Sequence, residues 1–187
     1  MLKIPLLLSL AGWLAFVIYW SAAAKNSSPE VISESRKSRQ VHELLVNFAL
    51  LLLFVSIPGL NQRVLPNASF MTWTGLSIQT VFGSLAVWAR RHLGAHWSGE
   101  ITVKLDHRLV QSGPYQVVRH PIYSAILGMF VGTALVSGQF HAMLGVVIVA
   151  LAYWRKIRLE EANLSNAFGP TYDAYRRDTW ALFPGLF

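Results

Sequence analysis

Apolar residues fall into five blocks along the chain, at residues 4–24, 44–60, 70–89, 122–137 and 140–154, with polar stretches between them. Two blocks show how complete the segregation is. Between Leu44 and Ile57 only Asn47 and Ser56 interrupt the apolar run, and residues 122–137 carry no charge. A helix on a soluble protein keeps one polar face. Blocks that are apolar all round are suited to lipid, which takes about 20 helical residues to cross, with a range near 17–25. The last two blocks are short by that measure. They are joined by Gly138-Gln139, an uncharged minimal turn that predicts a tight helical hairpin. Pro58-Gly59 closes the second block and Arg90-Arg91 the third. The pattern predicts an all-α polytopic membrane protein with about five transmembrane helices. Residues 1–187 read as one membrane domain, with three helices in 1–89 and a functional half, 90–187, made of the hairpin and a C-terminal tail.

Composition sharpens this. Of 187 residues 53% are hydrophobic and only 13% charged, against about 25% charged in soluble domains. Mean hydropathy is +0.41. The net charge of +7 suggests nucleic acid at first sight, but the basic residues form no single stripe, which argues against it. They sit between the apolar blocks. Fourteen of the 16 Lys and Arg fall in 25–41, 90–121 and the tail, and two, Lys3 and Arg63, on the opposite side of the alternation. The positive-inside rule then puts the N-terminus outside and the C-terminus in the cytoplasm, in a membrane expected to be the prokaryotic inner membrane. There is no cysteine, which removes thiolate ligands, thiol nucleophiles and disulfides from the chemistry.

Smaller signals fit the same frame. The first block has Lys3 ahead of it and Ala22-Ala23-Ala24 at its end, like a signal peptide. It is too long for an h-region of about 7–15 residues and reads as a retained helix. Trp13, Tyr19, Trp20, Trp73, Trp88, Tyr153 and Trp154 read as interface anchors. Gly128 and Gly132 make a small-xxx-small pair suited to close helix contact. The stretch 25–41 reads as a surface loop or short interfacial helix.

The chemistry-bearing residues gather on the cytoplasmic side, and none is expected at the midplane, where transporters bind. Residues 90–121 contain Glu100, Lys104, Asp106, His107, Arg108, Tyr115, Arg119 and His120. A stretch that long between helices tends to be functional. The tail adds Arg155, Arg158, Glu160, Glu161, Tyr172 and Tyr175. A short hairpin brings Ile122 near Trp154, so the His120-Pro121 corner and the Glu160-Glu161 pair are expected to be neighbours. Glu161, about 100° further round the helix than Glu160, is expected to face elsewhere and to meet an acceptor or pair with Arg158. Such a site suits a small zwitterion: histidine and arginine for a carboxylate, glutamate for an ammonium or sulfonium, tyrosine for a purine or cation. No Gly-x-Gly occurs, so the Rossmann-type nucleotide loop is absent. His92 and His96, four apart, fall short of a metal site, and no metal is expected.

Several of these residues recur in order in a known family. Leu93-Gly94-Ala95-His96-Trp97-Ser98, His107-Arg108-Leu109-Val110, Gly113-Pro114-Tyr115 and Arg119-His120-Pro121-Ile122-Tyr123 lead to Glu160-Glu161, Leu164, Phe168-Gly169, Tyr172, Tyr175 and Leu182-Phe183-Pro184. Over roughly residues 88–187 the chain resembles the isoprenylcysteine carboxyl methyltransferases and their bacterial relatives. The resemblance implies an integral membrane methyltransferase that uses S-adenosylmethionine in a cytoplasmic pocket of the C-terminal half. It further implies that His107, Leu109, Val110, Tyr115, His120, Pro121, Tyr123 and Glu160 surround that cofactor, with Arg158 and Glu161 as the catalytic candidates toward the acceptor. In eukaryotic members an arginine ahead of the glutamate pair holds the substrate carboxylate. Here Lys156 occupies the nearest equivalent place, between Arg155 and Arg158.

The implied reaction is in-line methyl transfer to a lipophilic acceptor arriving from the bilayer. A carboxylate acceptor needs no general base, so positioning and water exclusion would carry catalysis. The acceptor is left open between an isoprenylcysteine or other carboxylate, a phospholipid and an amine. A membrane reductase using NADPH and a non-catalytic membrane protein are the other readings. Oligomeric state is not legible in the sequence.

Overall fold

The structure is a computed structural model that describes residues 4–24, 31–32, 35–94, 102–103 and 109–185. It is all-α apart from one two-residue antiparallel pair. Its elements are α1 (Ile4–Ala24), β1 (Val31–Ile32), α2 (Arg36–Phe54), α3 (Ser69–Leu93), β2 (Thr102–Val103), a 3-10 turn η1 (Gly113–Gln116), α4 (Pro121–Ser137), α5 (Phe140–Phe168) and α6 (Pro170–Asp178). Val31 pairs with Val103 and Ile32 with Thr102.

Helix boundaries follow local chemistry where hydropathy is silent. α2 starts at Arg36, eight residues before the second apolar block, because Ser35 accepts a hydrogen bond from the Ser38 N–H as N-cap. The stretch 36–41, expected as loop or interfacial helix, is therefore the first turns of α2. It ends at Phe54, short of the block's end at 60, ahead of Pro58. α4 takes Pro121 at its first position, where the missing N–H costs nothing, and stops at Gly138, whose φ of +66° suits glycine. α5 runs past its apolar block to Phe168, because no breaker intervenes before Gly169-Pro170. α6 was not expected from hydropathy. Pro170 opens it, and Tyr172 and Tyr175 bury one face.

α1 to α5 run alternately between two ends of the bundle. At one end Arg63 donates to the Ser137 carbonyl, Gly138 O accepts from the N–H groups of Val64 and Leu65, and His141 Nδ1 lies 2.5 Å from Leu52 O, near the end of α2. At the other end Arg90 donates to Ala23 O at 2.6 Å and Arg155 to Ser38 Oγ at 2.6 Å. α4 lies at the centre. It packs on α3 and α5, while α1 lies against it beside α3 and α2 against it beside α5.

The outward faces carry large apolar side chains on every one of these five helices: Ile4 and Ile18 on α1, Leu44 and Phe48 on α2, Phe70 and Trp73 on α3, Val131 on α4, Val147 and Trp154 on α5. Such a belt is suited to lipid rather than water. By length and composition two helices, α1 and α5, are apolar enough to cross a membrane, and α4 is a shorter apolar helix. α2 begins with eight mostly polar residues, and α3 is interrupted by Thr72, Thr74, Ser77, Gln79, Thr80 and Ser84, which is why neither joins them.

Close packing rests on glycine. A Cβ on Gly132 would lie 2.6 Å from the Gly75 carbonyl oxygen, and one on Gly75 2.5 Å from that of Gly132, so α3 and α4 touch backbone to backbone. Gly128 makes room for the Phe82 ring. The small-xxx-small expectation is thus borne out. Two other expectations need correction. Trp13 is no interface anchor: it is buried and donates from Nε1 to Thr133 Oγ1 at 2.9 Å. Tyr153 is buried inside the bundle as well, whereas Trp73, Trp88 and Trp154 are exposed. Nor is the helical span free of polar groups. Ser9, Gln79 and Thr133 form a buried cluster in which Ser9 Oγ donates to Gln79 Oε1 at 2.7 Å and Gln79 Nε2 to Ser9 O at 2.8 Å. In lipid such mutual bonding holds helices together.

The α3–α4 contact leads to a test. Gly132→Val should destabilise the protein by about 1–3 kcal/mol through overpacking, read as a lower unfolding temperature in detergent. Gly83→Ala is the control, since its Cβ would meet Met129 at an ordinary 3.7 Å and should leave that temperature unchanged.

Candidate active site

The sequence run from Arg119 to Tyr123 sits where η1 hands over to α4, and each residue is held by a different element. The N–H groups of Arg119 and His120 donate to the carbonyls of Trp180 and Ala181, which staples the C-terminal tail across the mouth of α4. The Arg119 guanidinium then reaches α5. Its Nε donates to Glu161 Oε1 at 2.8 Å, in a pair whose side chains are only 7% and 10% exposed. Nη1 of Arg119 also donates to Arg176 O at 3.0 Å and to Thr179 O. One arginine thereby joins α4, α5 and the segment after α6.

His120 is buried between the two glutamates. Its Nε2 is 3.3 Å from Glu161 Oε1 and its Nδ1 3.8 Å from Glu160 Oε2. Tyr123, one turn along α4, stacks on His120 at 5.3 Å and 7° and donates its hydroxyl to Glu160 Oε2 at 2.7 Å. Tyr153 of α5 stacks on Tyr123 at 4.8 Å, and His42 of α2 meets Tyr153 edge-on. A column of four rings thus runs from the carboxylates into the bundle. Glu160 is the exposed member, with 29% of its side chain accessible.

The expected meeting of the His120-Pro121 corner with the glutamate pair is seen here. The expected divergence of the two glutamates is not. Glu161 does not turn away or pair with Arg158. It is buried on Arg119 and His120, while Arg158 is exposed. The reason is geometric: the inward face of α5 at this level is wide enough to hold Lys156, Ile157, Glu160 and Glu161. Arg155 is tied to Ser38 and Lys156 is buried. Arg119 is the functional candidate that the sequence reading left without a role. Its signal was its place directly before His120.

The remaining expected residues surround this cluster to different degrees. Pro121 is buried at the start of α4. Tyr115 is buried in η1, its carbonyl accepting from the Tyr175 hydroxyl at 2.6 Å. Val110 packs against the cluster of Ala89, Tyr115 and Ile122, and Leu109 is half-buried. His107 and His96 lie outside the described residues. His92 bonds Ser112 and stacks on Tyr115. Among the described residues no group of three His, Asp or Glu could hold a metal.

Electrostatics divide the glutamates. Burial alone would raise the Glu161 carboxyl, but the hydrogen bonds and charges of His120 and Arg119 overcome it and hold the pKa at about 2. Burial, and then the charge of Glu161, push the Tyr172 hydroxyl far above its ordinary range, so it stays protonated. Among the described residues that buried hydroxyl has no hydrogen-bond partner.

Residues 70–171, more than half of the chain, match the phospholipid methyltransferase (PEMT) family. This chain belongs to that family. The names of two similar proteins agree with the resemblance found in the sequence, and that of a third does not. The chain is 30% identical over 159 residues to a Dictyostelium discoideum protein named Protein-S-isoprenylcysteine O-methyltransferase, covering 78% of this chain and 63% of that protein. It is 37% identical over 76 residues to the Schizosaccharomyces pombe protein of the same name, covering 38% and 31%. A Cupriavidus metallidurans protein named Cobalt-zinc-cadmium resistance protein CzcN is 36% identical over 118 residues, 62% of this chain and 53% of that protein. The chain thus spans between about a third and two thirds of the length of these relatives.

The buried pair predicts an acid limit. The folded pKa of Glu161, about 2, is below its ordinary 4.5, so its stabilisation is complete above 4.5 and is lost as pH falls toward 2. Glu161→Gln, which strands the Arg119 charge, should cost about 3–5 kcal/mol near neutral pH and flatten that acid limb. Unfolding temperature against pH in detergent checks both.

Proposed function

We propose that this protein is a membrane methyltransferase that moves a methyl group from S-adenosylmethionine to a lipophilic acceptor. The family and the names of the relatives support the reaction class. The observation that carries the reading is the half-exposed Glu160 carboxylate, fixed by Tyr123 at the end of an apolar-faced bundle. A site there is open to a polar cofactor from one side and to an apolar acceptor from the other.

The residues fit the cofactor by the chemistry of their groups. Glu160 Oε2 is taken by Tyr123, which leaves the other oxygen for an ammonium or sulfonium. The unpartnered Tyr172 hydroxyl supplies a buried donor close to the same charges. Leu109, Val110, Tyr115, His120, Pro121 and Tyr123 would line the pocket, with His107 added from the neighbouring segment. When bound, S-adenosylmethionine supplies an electrophilic methyl on a sulfonium. The chain's own part is to neutralise that cation with Glu160, to keep Glu161 ionised through Arg119, and to exclude water with the aromatic column. Arg158, exposed on α5, is reserved for an acceptor at the membrane surface. The orientation proposed is C-terminus in the cytoplasm, from the Lys and Arg asymmetry, with α1 to α5 all crossing the bilayer.

Calorimetry on the purified protein in detergent tests this. Wild type should bind S-adenosylmethionine, and Glu160→Gln should bind it at least tenfold more weakly, since losing one side of a desolvated charge contact costs about 2–5 kcal/mol. Arg158→Ala should bind it like wild type. A preference for NADPH over S-adenosylmethionine would overturn the reading.

A further inference from the structure

Two exposed cations at the end that carries Glu160 each head a stripe of outward apolar side chains. On α2, Lys37 is followed at helical spacing by Val41, Leu44, Phe48 and Leu51, all exposed. On α5, Arg158 is preceded at the same spacing by Trp154, Leu151 and Val147, also exposed. Steps of three and four residues keep such positions on one face of a helix. The bond from Arg155 to Ser38 Oγ sets the level of the two helices. Lys37 is one residue from that contact and Arg158 three, so both charges lie within about one 5.4 Å turn of it. α4 touches both helices, and the stripes run on faces turned away from it.

Length and charge say what covers these faces. At a rise of about 1.5 Å per residue, the stripe from Lys37 to Leu51 spans about 21 Å and that from Arg158 to Val147 about 16 Å. One leaflet of a hydrocarbon core about 30 Å thick measures roughly 15 Å. Each stripe is therefore long enough for one acyl chain, with a cation at headgroup level. Lysine and arginine stems lie along apolar surface while the charge stays among the headgroups. Other described cations at this end are committed within the protein: Arg39 to Glu43, Arg91 over the Tyr19 ring and Arg119 to Glu161. Among the described residues Lys37 and Arg158 have no carboxylate partner.

We propose that the α2–α5 seam is a site for one anionic phospholipid, its phosphate held by Lys37 and Arg158 and its two chains laid along the stripes. This lipid resides at the surface and is not methylated, so the assignment stands apart from the methyltransferase reading. Arg158, placed above at the membrane surface where an acceptor arrives, meets a headgroup on either account. A net negative headgroup is favoured because surface cations attract anionic lipid. A choline headgroup would bring one more cation beside Arg36, Lys37 and Arg158. The alternative is the diffuse attraction that any basic surface has for anionic lipid, and α6 separates the two. Arg176 and Arg177 are exposed at the same end, but the other exposed residues of α6 are Pro170, Thr171, Asp173 and Asp178, which offer no apolar stripe.

Unfolding temperature in lipid-free detergent, with and without added phosphatidylglycerol or phosphatidylcholine, tests the site. Phosphatidylglycerol should raise the wild-type midpoint by about 2–4 °C, and phosphatidylcholine should raise it clearly less. Lys37→Gln combined with Arg158→Gln should lose the phosphatidylglycerol effect. Arg176→Gln combined with Arg177→Gln, which also removes two positive charges, should keep it. Each variant is compared with itself, so a change in its lipid-free midpoint does not alter the result. No rise with phosphatidylglycerol, equal responses to the two lipids, or equal losses in the two double variants would overturn the proposal. Inorganic phosphate at the same concentration should leave the midpoint unchanged, since it brings nothing for the stripes. A rise equal to that with phosphatidylglycerol would overturn the lipid assignment. Light scattering checks the other occupant of such a face. A two-chain mass in lipid-free detergent, reduced to one chain by Lys37→Gln with Arg158→Gln, would give the face to a second copy and overturn the proposal.

Discussion

The contact between Arg119 and Glu161 is the constraint on which the functional end of this molecule depends. The pair is buried, so neither charge can be left alone. The geometry exploits that: the same guanidinium that holds Glu161 also takes carbonyls of Arg176 and Thr179, and its backbone N–H takes Trp180 O. The tail after α6, the entry to α4 and the C-terminal part of α5 are thereby fixed to one point. With Glu161 fixed, His120 is oriented. Tyr123, next along α4, then meets Glu160. The exposed carboxylate acts at the end of this chain of contacts.

Away from that end, the bundle is held by short-range packing suited to lipid. Two glycines let α3 and α4 touch backbones, and the buried Ser9, Gln79 and Thr133 bond one another. Arg63 and His141 serve helix ends at the opposite face, where carbonyls of Ser137 and Leu52 would otherwise lack partners. Chemistry is concentrated at one end and structural polarity is spread through the rest.

Much of this was legible in the sequence, and what was missed has physical causes. The limits of α1 and α4 follow from uninterrupted apolar runs, with Pro121 and Gly138 marking the second. The start of α2 was missed because Arg36 to Glu43 form helix without being apolar. The far end of α5 was missed because only a breaker stops a helix, and none comes before Gly169. The adjacency of His120 and Glu160 was readable from a hairpin of known length. The burial of Glu161 was not, because a 100° step leaves a residue on the inward face whenever that face is wide. Arg119 lacked any periodic signal, since its role depends on a partner 42 residues away. Trp13 and Tyr153 were misplaced at the interface because aromatic composition alone does not distinguish a ring at a headgroup from one in a core.

The central claim is that the carboxylate end of this bundle delivers a methyl group to a membrane-borne acceptor. The most direct measurement incubates membranes containing the protein with S-adenosylmethionine labelled in its methyl group and follows label retained by the membrane fraction. The account predicts retention above control membranes with wild type and its loss with Glu160→Gln made in equal amount. Label that stays in the aqueous phase with wild type, or retention undiminished in Glu160→Gln, would contradict it.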